Sequence, residues 1–561
     1  MSSRFRAWHA AVLGIALFIV LRFALPAIGT LPRALTAEEA DAFLGAKLLV
    51  ERLHGDMASD PPAGDDAPEA TMAPLTARMR AGFETTPTHP RLAELPPEKG
   101  AARAALEAPL PRWLGALGLG VLPSTSGANN LERAATAASL AIALAIALLV
   151  FGLRGHGTVF AIALVGGLLG LPGLVDAAAS AGHGAASVLA MTLFVLGLER
   201  LLRTGGVAIH LGLGAALGLL LGVHPGALAL VLVAFVAWAI HQPPDVAPAA
   251  PGVPPDAPGT LPLPRVPLLL LALPVVALVV LIAIWPALWS ETGKRLGAWL
   301  LDFGSTRSAP HEVLGLAFDQ ATGRSAQAFT ALLQWVAFTP LPLLGLWLVG
   351  FAVTVRRGRA GPWVPVLALV ALLAVGALDG SLFGARNSLL ALTWVPTAIT
   401  AAHGLVRALG FVEAWLADHP VRLLPASRRA RTALFTGAAL LVPLLQAGKG
   451  TTLGMARQGG AELRAPLPLA LVERAAAERP FAVIAALPRP AALAPALEVA
   501  REGLGLDLRV GTPDEAELLL VTLPSGAAPP SELVPRLESA RELARDPRPG
   551  VIVTLSERSD E

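Results

Sequence analysis

Thr136-Ala-Ala-Ser-Leu-Ala-Ile-Ala-Leu-Ala-Ile-Ala-Leu-Leu-Val-Phe-Gly-Leu153 carries no charge along its whole length. A hydrocarbon layer of about 30 Å is crossed by about 20 mostly apolar helical residues, so this stretch reads as a membrane span. Working outward, similar stretches fall at Ala10–Thr30, Thr158–Val175, Ala185–Leu198, Val207–Val223, Gly226–Ile240, Val266–Ile284, Phe329–Val355, Trp363–Leu378, Leu389–Leu409 and Thr432–Ala447. The expectation is a mainly α, polytopic membrane helix bundle of about eleven spans.

Composition agrees. Hydrophobic residues make up 54% of the 561 and charged residues 15%, against roughly a quarter charged in soluble chains. The chain has no cysteine, which excludes disulfides, thiol catalysis and Cys-ligated metals. It has no tyrosine either, so an interfacial aromatic belt would draw on its 11 Trp and 18 Phe. A net charge of +2 gives no sign of a nucleic-acid partner.

Loop charges set the topology. With the amino terminus (Arg4, Arg6) cytoplasmic, alternate loops carry Arg154, then Arg200 and Arg203, then Arg356, Arg357 and Arg359, then Arg407, Arg422, Arg428, Arg429 and Arg431. The opposite short loops are nearly free of cations, as the positive-inside rule requires. Residues 1–30 are then the first span, and 31–130 an extracytoplasmic loop with amphipathic helices. A multi-span domain covers 131–447, with a Pro-rich cytoplasmic linker at 242–265 and an extracytoplasmic loop at 285–328. In the tail, 448–561, buried-strand runs at Phe481–Leu487, Leu506–Val510, Leu518–Leu523 and Val551–Leu555 alternate with helical patterns. They predict a small extracytoplasmic α/β domain. The setting is the inner (plasma) membrane.

The chemistry-bearing stretch is Leu35-Thr-Ala-Glu38-Glu39-Ala-Asp41-Ala-Phe43. Thr36 and Glu39 form a capping box that starts a helix, and Ala40, Phe43, Leu44 and Leu48 give it an apolar face lying on the outer membrane surface. Glu38 and Asp41 share a side of that helix; acids here also simply complement a helix dipole. Arg22 lies about 12 Å inside the expected end of the first span, at 1.5 Å per residue. It either meets an anion in a polar cavity or snorkels to the headgroups. Thr88-His89-Pro90-Arg91 and Pro109-Leu110-Pro111-Arg112-Trp113 read, each alone, as ordinary Pro-rich loop. Trp285-Pro286-Ala287-Leu288-Trp289 fits an interfacial anchor. Lys294, Arg295, His311 and Arg324 beyond it suit either phosphate contacts or solvated loop charge. The scattered histidines show no metal-ligand spacing.

In order, these pieces resemble the GT-C glycosyltransferase superfamily, above all its protein O-mannosyltransferase-like (family 39) and aminoarabinose-transferase-like branches. The resemblance runs through Arg22, the acid pair Glu38-Glu39 with Phe43, His89-Pro90 and Arg133. It continues through Trp285-Pro286-x-x-Trp289 with a basic pair and His311, Thr339-Pro340, Gly384-x-Arg386 before Pro396, and Gly459-Gly460-Ala461. It implies transfer of a sugar from a polyprenyl-phosphate donor in the bilayer to a lipid, protein or glycan acceptor on the outer face. The acids Glu38, Glu39 and Asp41 would be catalytic, with Glu38 in the place of the general base. Arg22, His89, Lys294, Arg295, His311 and Arg386 would bind substrate, the cations among them holding the lipid phosphate. No cofactor is required by it, and a divalent metal is left open.

The chain departs from that pattern. Glu38 stands where relatives have Asp, Arg91 replaces a second Pro, and His224 stands where many have Lys. These departures sustain a second reading, a non-catalytic scaffold of the same fold serving envelope-glycan assembly. A lipid or solute transporter is a third; it requires several intramembrane charges and broken helices in two matching halves.

Overall fold

The structure is a computed structural model. It describes residues 3–27, 34–35, most of 42–50, 109–122, 130–179, 182–241, 268–289, 292–305, 311–313, 316–318, 324–357, 360–379, 388–418, part of 427–437, 467–487, 497, 500–501, 506–511, 515–524, 534, 540–548 and 551–558. The helices are α1 Ser3–Ala27, α2 Pro109–Val121, α3 Asn130–Gly152, α4 Thr158–Leu169, α5 Pro172–Ala179, α6 His183–Thr204 and α7 Val207–Leu221. They continue with α8 Ala229–His241, α9 Leu273–Ile284, α10 Thr292–Ser305, α11 Arg324–Phe338, α12 Leu341–Arg357, α13 Ala360–Asp379, α14 Ser388–Asp418 and α15 Leu469–Glu478.

Helix α3 shows why the opening stretch folds as it does. Leu131, Ala134, Ala138, Ala141, Ala145 and Leu149 recur at helical spacing and are buried, whereas Leu140 and Leu144 on the other side are more than half exposed. An outward leucine face is stable in lipid and poor in water. By length and apolarity, three helices of the described residues can cross a membrane: Asn130–Gly152, His183–Thr204 and Leu389–Leu416. Six more are apolar but only 10–17 residues long, so these lengths do not establish eleven crossings.

Two expected spans are broken. Thr158–Val175 divides into α4 and α5, with Pro172 opening the second helix. Phe329–Val355 is not one straight helix: α11 and α12 meet at a 116° bend, a broken span or a re-entrant loop. Pro340 lacks the N–H that would continue α11. The Thr339 hydroxyl instead donates to the Trp335 carbonyl at 2.7 Å, and the Thr339 N–H to Val336 O at 3.2 Å. The expected span at 432–447 lies mostly outside the described residues.

Small residues let helices touch at the backbone. Gly214, Gly218 and Gly222 repeat every fourth position on α7 and face Val276, Val280 and Ile284 of α9; a Cβ on Gly218 would sit 2.6 Å from Val280 Cβ. Gly350 of α12 and Gly404 of α14 pack tighter still, each leaving no room for a methyl group against the other helix's carbonyls (Thr400 and Leu346). Such small-residue crossings replace the hydrophobic drive that lipid does not supply.

In the tail, strands β5 Val483–Leu487, β6 Arg509–Val510, β7 Leu518–Pro524, β8 Ala540–Arg548 and β9 Val551–Arg558 form one sheet in the order β6-β5-β7-β9-β8. The first three are parallel and the last two form an antiparallel hairpin. Each of the four expected runs holds a strand, Leu506–Val510 only at its last two residues. Strand β8 is an addition, because Ala-Arg-Glu-Leu-Ala-Arg has no strand-like alternation of its own. Its pairing with β9 decides it. Two residues ahead of the acidic stretch, β1 (Ala34–Leu35), pair with β4 (Leu467–Pro468) at the start of the tail.

Candidate functional site

One end of the bundle collects the turns that follow α7 and α9, together with α2 and the segment 42–50. Of the sequence-derived site residues, Glu38, Glu39, Asp41, His89 and Arg386 lie outside the described residues. Arg22 is in the last turns of α1, and His311 is in β2 (His311–Val313), paired with Phe318 of β3 (Leu316–Phe318); for both only the backbone is described. Lys294 and Arg295 fall in the first turn of α10, the former exposed and the latter half-buried, and both are engaged in interactions.

The expected helix after the acidic turn is present in the segment 42–50. Phe43, Ala46 and Leu49 are all at or below 1% exposure and belong to the main core. Phe43, the described member of the face expected to rest on the outer membrane surface, is therefore packed inside the protein. The reason is residue size: Ala46 meets Gly115 of α2, where an added Cβ would stand 2.8 Å from Ala46 Cβ. Of the expected apolar face, Phe43 is seen to be buried; Ala40, Leu44 and Leu48 lie outside the described residues.

Helix α2 presents the residue that sequence reasoning passed over. Arg112 is only 2% exposed, the most buried charged side chain among the described residues. Its guanidinium lies on the backbone of Gly45: a Cβ there would be 2.6 Å from Nε and 3.0 Å from Cζ. Helix α2 is itself pinned to the bundle. The Leu110 N–H donates to Gly222 O at 3.1 Å, and Trp113 Nε1 donates to Ile284 O at 2.7 Å. At its far end Arg133, from the start of α3, donates to the carbonyls of Leu119 and Leu122, so this arginine caps α2 as a cation suits a helix carboxyl end. The only local signal for Arg112 was a cation inside Pro-Leu-Pro-Arg-Trp, which does not announce burial.

The Trp-Pro-x-x-Trp stretch makes a one-turn 3-10 helix, Pro286–Trp289. Trp285 is 1% exposed and meets Trp299 of α10 edge-on, centroids 5.7 Å apart; it is a core residue rather than an interfacial anchor. Trp289 Nε1 donates back to Ile282 O at 2.7 Å. The Trp285–Trp299 contact sets α10, which carries Lys294 and Arg295, beside this turn. Nearby His224 is 4% exposed and accepts the Gly226 N–H at Nδ1, 2.9 Å, capping the turn Pro225–Leu228. That bond leaves the proton of its neutral form on Nε2.

The opposite end holds a different cluster. Glu199 is approached at 3.1 Å by His156 Nε2 and paired with Arg203, and Arg203 also lies 3.1 Å from His156 Nε2. His403 packs edge-on to His156 at 5.0 Å, around a void of about 10 Å³ also lined by Pro365. Among the described residues no three His, Asp or Glu side chains are grouped to hold a metal ion.

No family model and no curated protein matches the sequence. Among solved structures, ArnT from Cupriavidus metallidurans, bound to undecaprenyl phosphate, is similar over 97% of both chains, at 13% identity and a TM-score of 0.50. The chain has the GT-C fold. The archaeal oligosaccharyltransferase AglB from Archaeoglobus fulgidus, in complex with an inhibitory peptide and a dolichol-phosphate, gives 14% identity and a TM-score of 0.44, over 92% of this chain and 65% of that one. Within the GT-C fold, the acidic turn expected at 38–41 immediately precedes the buried segment 42–50.

Proposed function

We propose that this protein is a membrane glycosyltransferase that moves a sugar from a polyprenyl-phosphate donor to an acceptor hydroxyl on the extracytoplasmic face. The observation that carries the reading is the gathering, at one end of a GT-C fold, of the segment following the acidic turn and of the helix bearing Lys294 and Arg295. The solved neighbour of the same fold, matched over 97% of its length, holds undecaprenyl phosphate.

In this reading a carboxylate of the acidic turn, Glu38 with Glu39 and Asp41 beside it, takes the proton of the acceptor hydroxyl. The freed oxygen attacks the anomeric carbon, and the bond from that carbon to the phosphate oxygen breaks. Polyprenyl phosphate leaves with the electron pair. Arg22, Lys294, Arg295 and Arg386, with His89 and His311, hold the phosphate as its charge grows, a role suited to charge-assisted hydrogen bonds. Acceptors are lipid, protein or glycan hydroxyls. The bilayer supplies the donor laterally, and the amino terminus faces the cytoplasm.

Protein in lipid nanodiscs, given a polyprenyl-phosphate sugar, should release free lipid phosphate, and Glu38→Gln should abolish the release. Full activity in Glu38→Gln removes the base from that position. Failure of the wild-type protein to consume any donor transfers the case to the scaffold, the reading that Glu38 in place of Asp favours. A transporter needs broken helices in two matching halves; among the described residues one sharply bent pair, α11 with α12, is present.

A further inference from the structure

Between the end of α15 and the β8–β9 hairpin of the tail lies a cavity of about 380 Å³, a size within the range of about 300–1,000 Å³ of small-ligand sites. Arg474, Glu478 and Arg479 line it from the helix side, and Arg541, Glu542, Leu543 and Glu557 from the hairpin. Side chains alternate across a regular strand, so three consecutive residues do not ordinarily serve one cavity. A β-bulge between Glu542 and Ala544 breaks the alternation here. Bulges re-aim side chains in this way beside active sites.

The lining charges select the ligand. Arg474 Nε donates to Glu478 at 2.7 Å, Arg479 is paired with Glu557, and Glu542 meets Arg545, which is not part of the lining, at 3.2 Å. Arg541 stands opposite Glu557 in the hairpin register, and its exposed guanidinium makes no hydrogen bond or ion pair among the described residues. One unpaired cation among carboxylates does not suit a multiply charged anion, and a wall whose one apolar member is Leu543 does not suit an apolar ligand. A guanidinium only donates and a carboxylate only accepts, and each has bonding capacity beyond a single partner. A hydroxyl answers both at once, and a row of neighbouring hydroxyls is a saccharide.

A second observation lies on the turn that Arg479 opens, closed by the Ala482 N–H donating to Arg479 O at 3.3 Å. Phe481 in this turn has a φ of 67°, alone among the described non-glycine residues in being positive. Turns of this kind take Gly or Asn at such a position, and a bulky residue there is an outlier. Its ring is 67% exposed, so burial does not repay the strained backbone. Strain kept without a packing reason is a mark of functional positions. An exposed phenyl face, negative at its centre, suits the C–H face of a sugar ring.

We propose that this cavity binds an uncharged oligosaccharide by its hydroxyls, with Arg541 as the free donor and Phe481 as the aromatic platform. As a statement about the acceptor it rests on the transferase reading, which it deepens by making the acceptor a glycan; the binding site itself stands or falls separately.

The test is titration of the full-length protein in nanodiscs with cellotriose, mannotriose and chitotriose, and with glucuronic acid and inorganic phosphate as anionic probes. Saturable binding of a neutral trisaccharide is expected. Arg541→Ala should weaken it about tenfold or more, the usual cost of a hydrogen bond to a charged group. Phe481→Gly relieves the turn, so it should keep or raise the melting temperature while weakening the same binding severalfold. Affinity unchanged in either variant overturns the proposal, and so does a wild-type protein that binds no neutral probe or prefers the anionic ones. The trisaccharide that binds should also raise donor consumption in wild type and not in Arg541→Ala; binding without that rise overturns the acceptor role. Donor consumption without saccharide binding removes the site and leaves the transferase. Saccharide binding by a protein that consumes no donor does the reverse.

Discussion

The two ends of the helix bundle handle charge differently. At the end formed by residues 153–158, 199–206 and 403, Glu199 is matched by Arg203 and His156, every partner comes from the transmembrane scaffold, and the space left over admits about one water-sized guest. At the end built from α2, the His224 turn and the Trp285 turn, a fully buried arginine is pressed onto the backbone that follows an acidic turn, and a basic helix runs past. A closed ion cluster ties helices together. The first end is closed by its own ion pairs, and the transferase reading puts its chemistry at the second.

Several measurements would break or sharpen that contrast. The largest effect is expected from Glu38→Gln, a fall of about 10²-fold or more in donor turnover with the melting temperature unchanged. Turnover equal to wild type would strip the chemical end of its base. Next comes Gly404→Ala on α14, whose methyl group must push against Leu346 of α12. Overpacking of this kind costs about 1–3 kcal/mol or more, read as a lower melting temperature in detergent. Glu199→Ala strands Arg203 and His156 at the structural end; a loss of about 1–3 kcal/mol is expected, with donor KM unaltered. A changed KM there would mean that the ends are coupled. The smallest effect belongs to Arg474→Ala, which removes an exposed pair with Glu478; stability should move by less than about 0.5 kcal/mol.

Much of this was legible in residue order. Uncharged runs such as 136–153 announce helices because lipid demands internally paired backbone, and β-branched runs such as Val551–Leu555 announce strands. Breaks were less legible: Thr339-Pro340 reads as the opening of a span, but its effect on the preceding helix depends on where α11 packs. Strand β8 was invisible because its partner, and not its own alternation, makes it a strand. Arg112 was invisible for a related reason. Burial of this cation is a property of what closes over it, here Gly45 from a segment far away in sequence. The capping box at 36–39 is a local signal, and the acids at 38–41 lie outside the described residues.

The pairing of Ala34–Leu35 with Leu467–Pro468 has a consequence for how the protein is made. The ribosome delivers the first strand early and its partner only after the whole membrane domain has been synthesised, a delay of roughly tens of seconds at ordinary elongation rates. Until then the chain leading into the acidic turn lacks its ladder partner, so a half-made or tail-truncated protein inserts its helices with that entrance still untied.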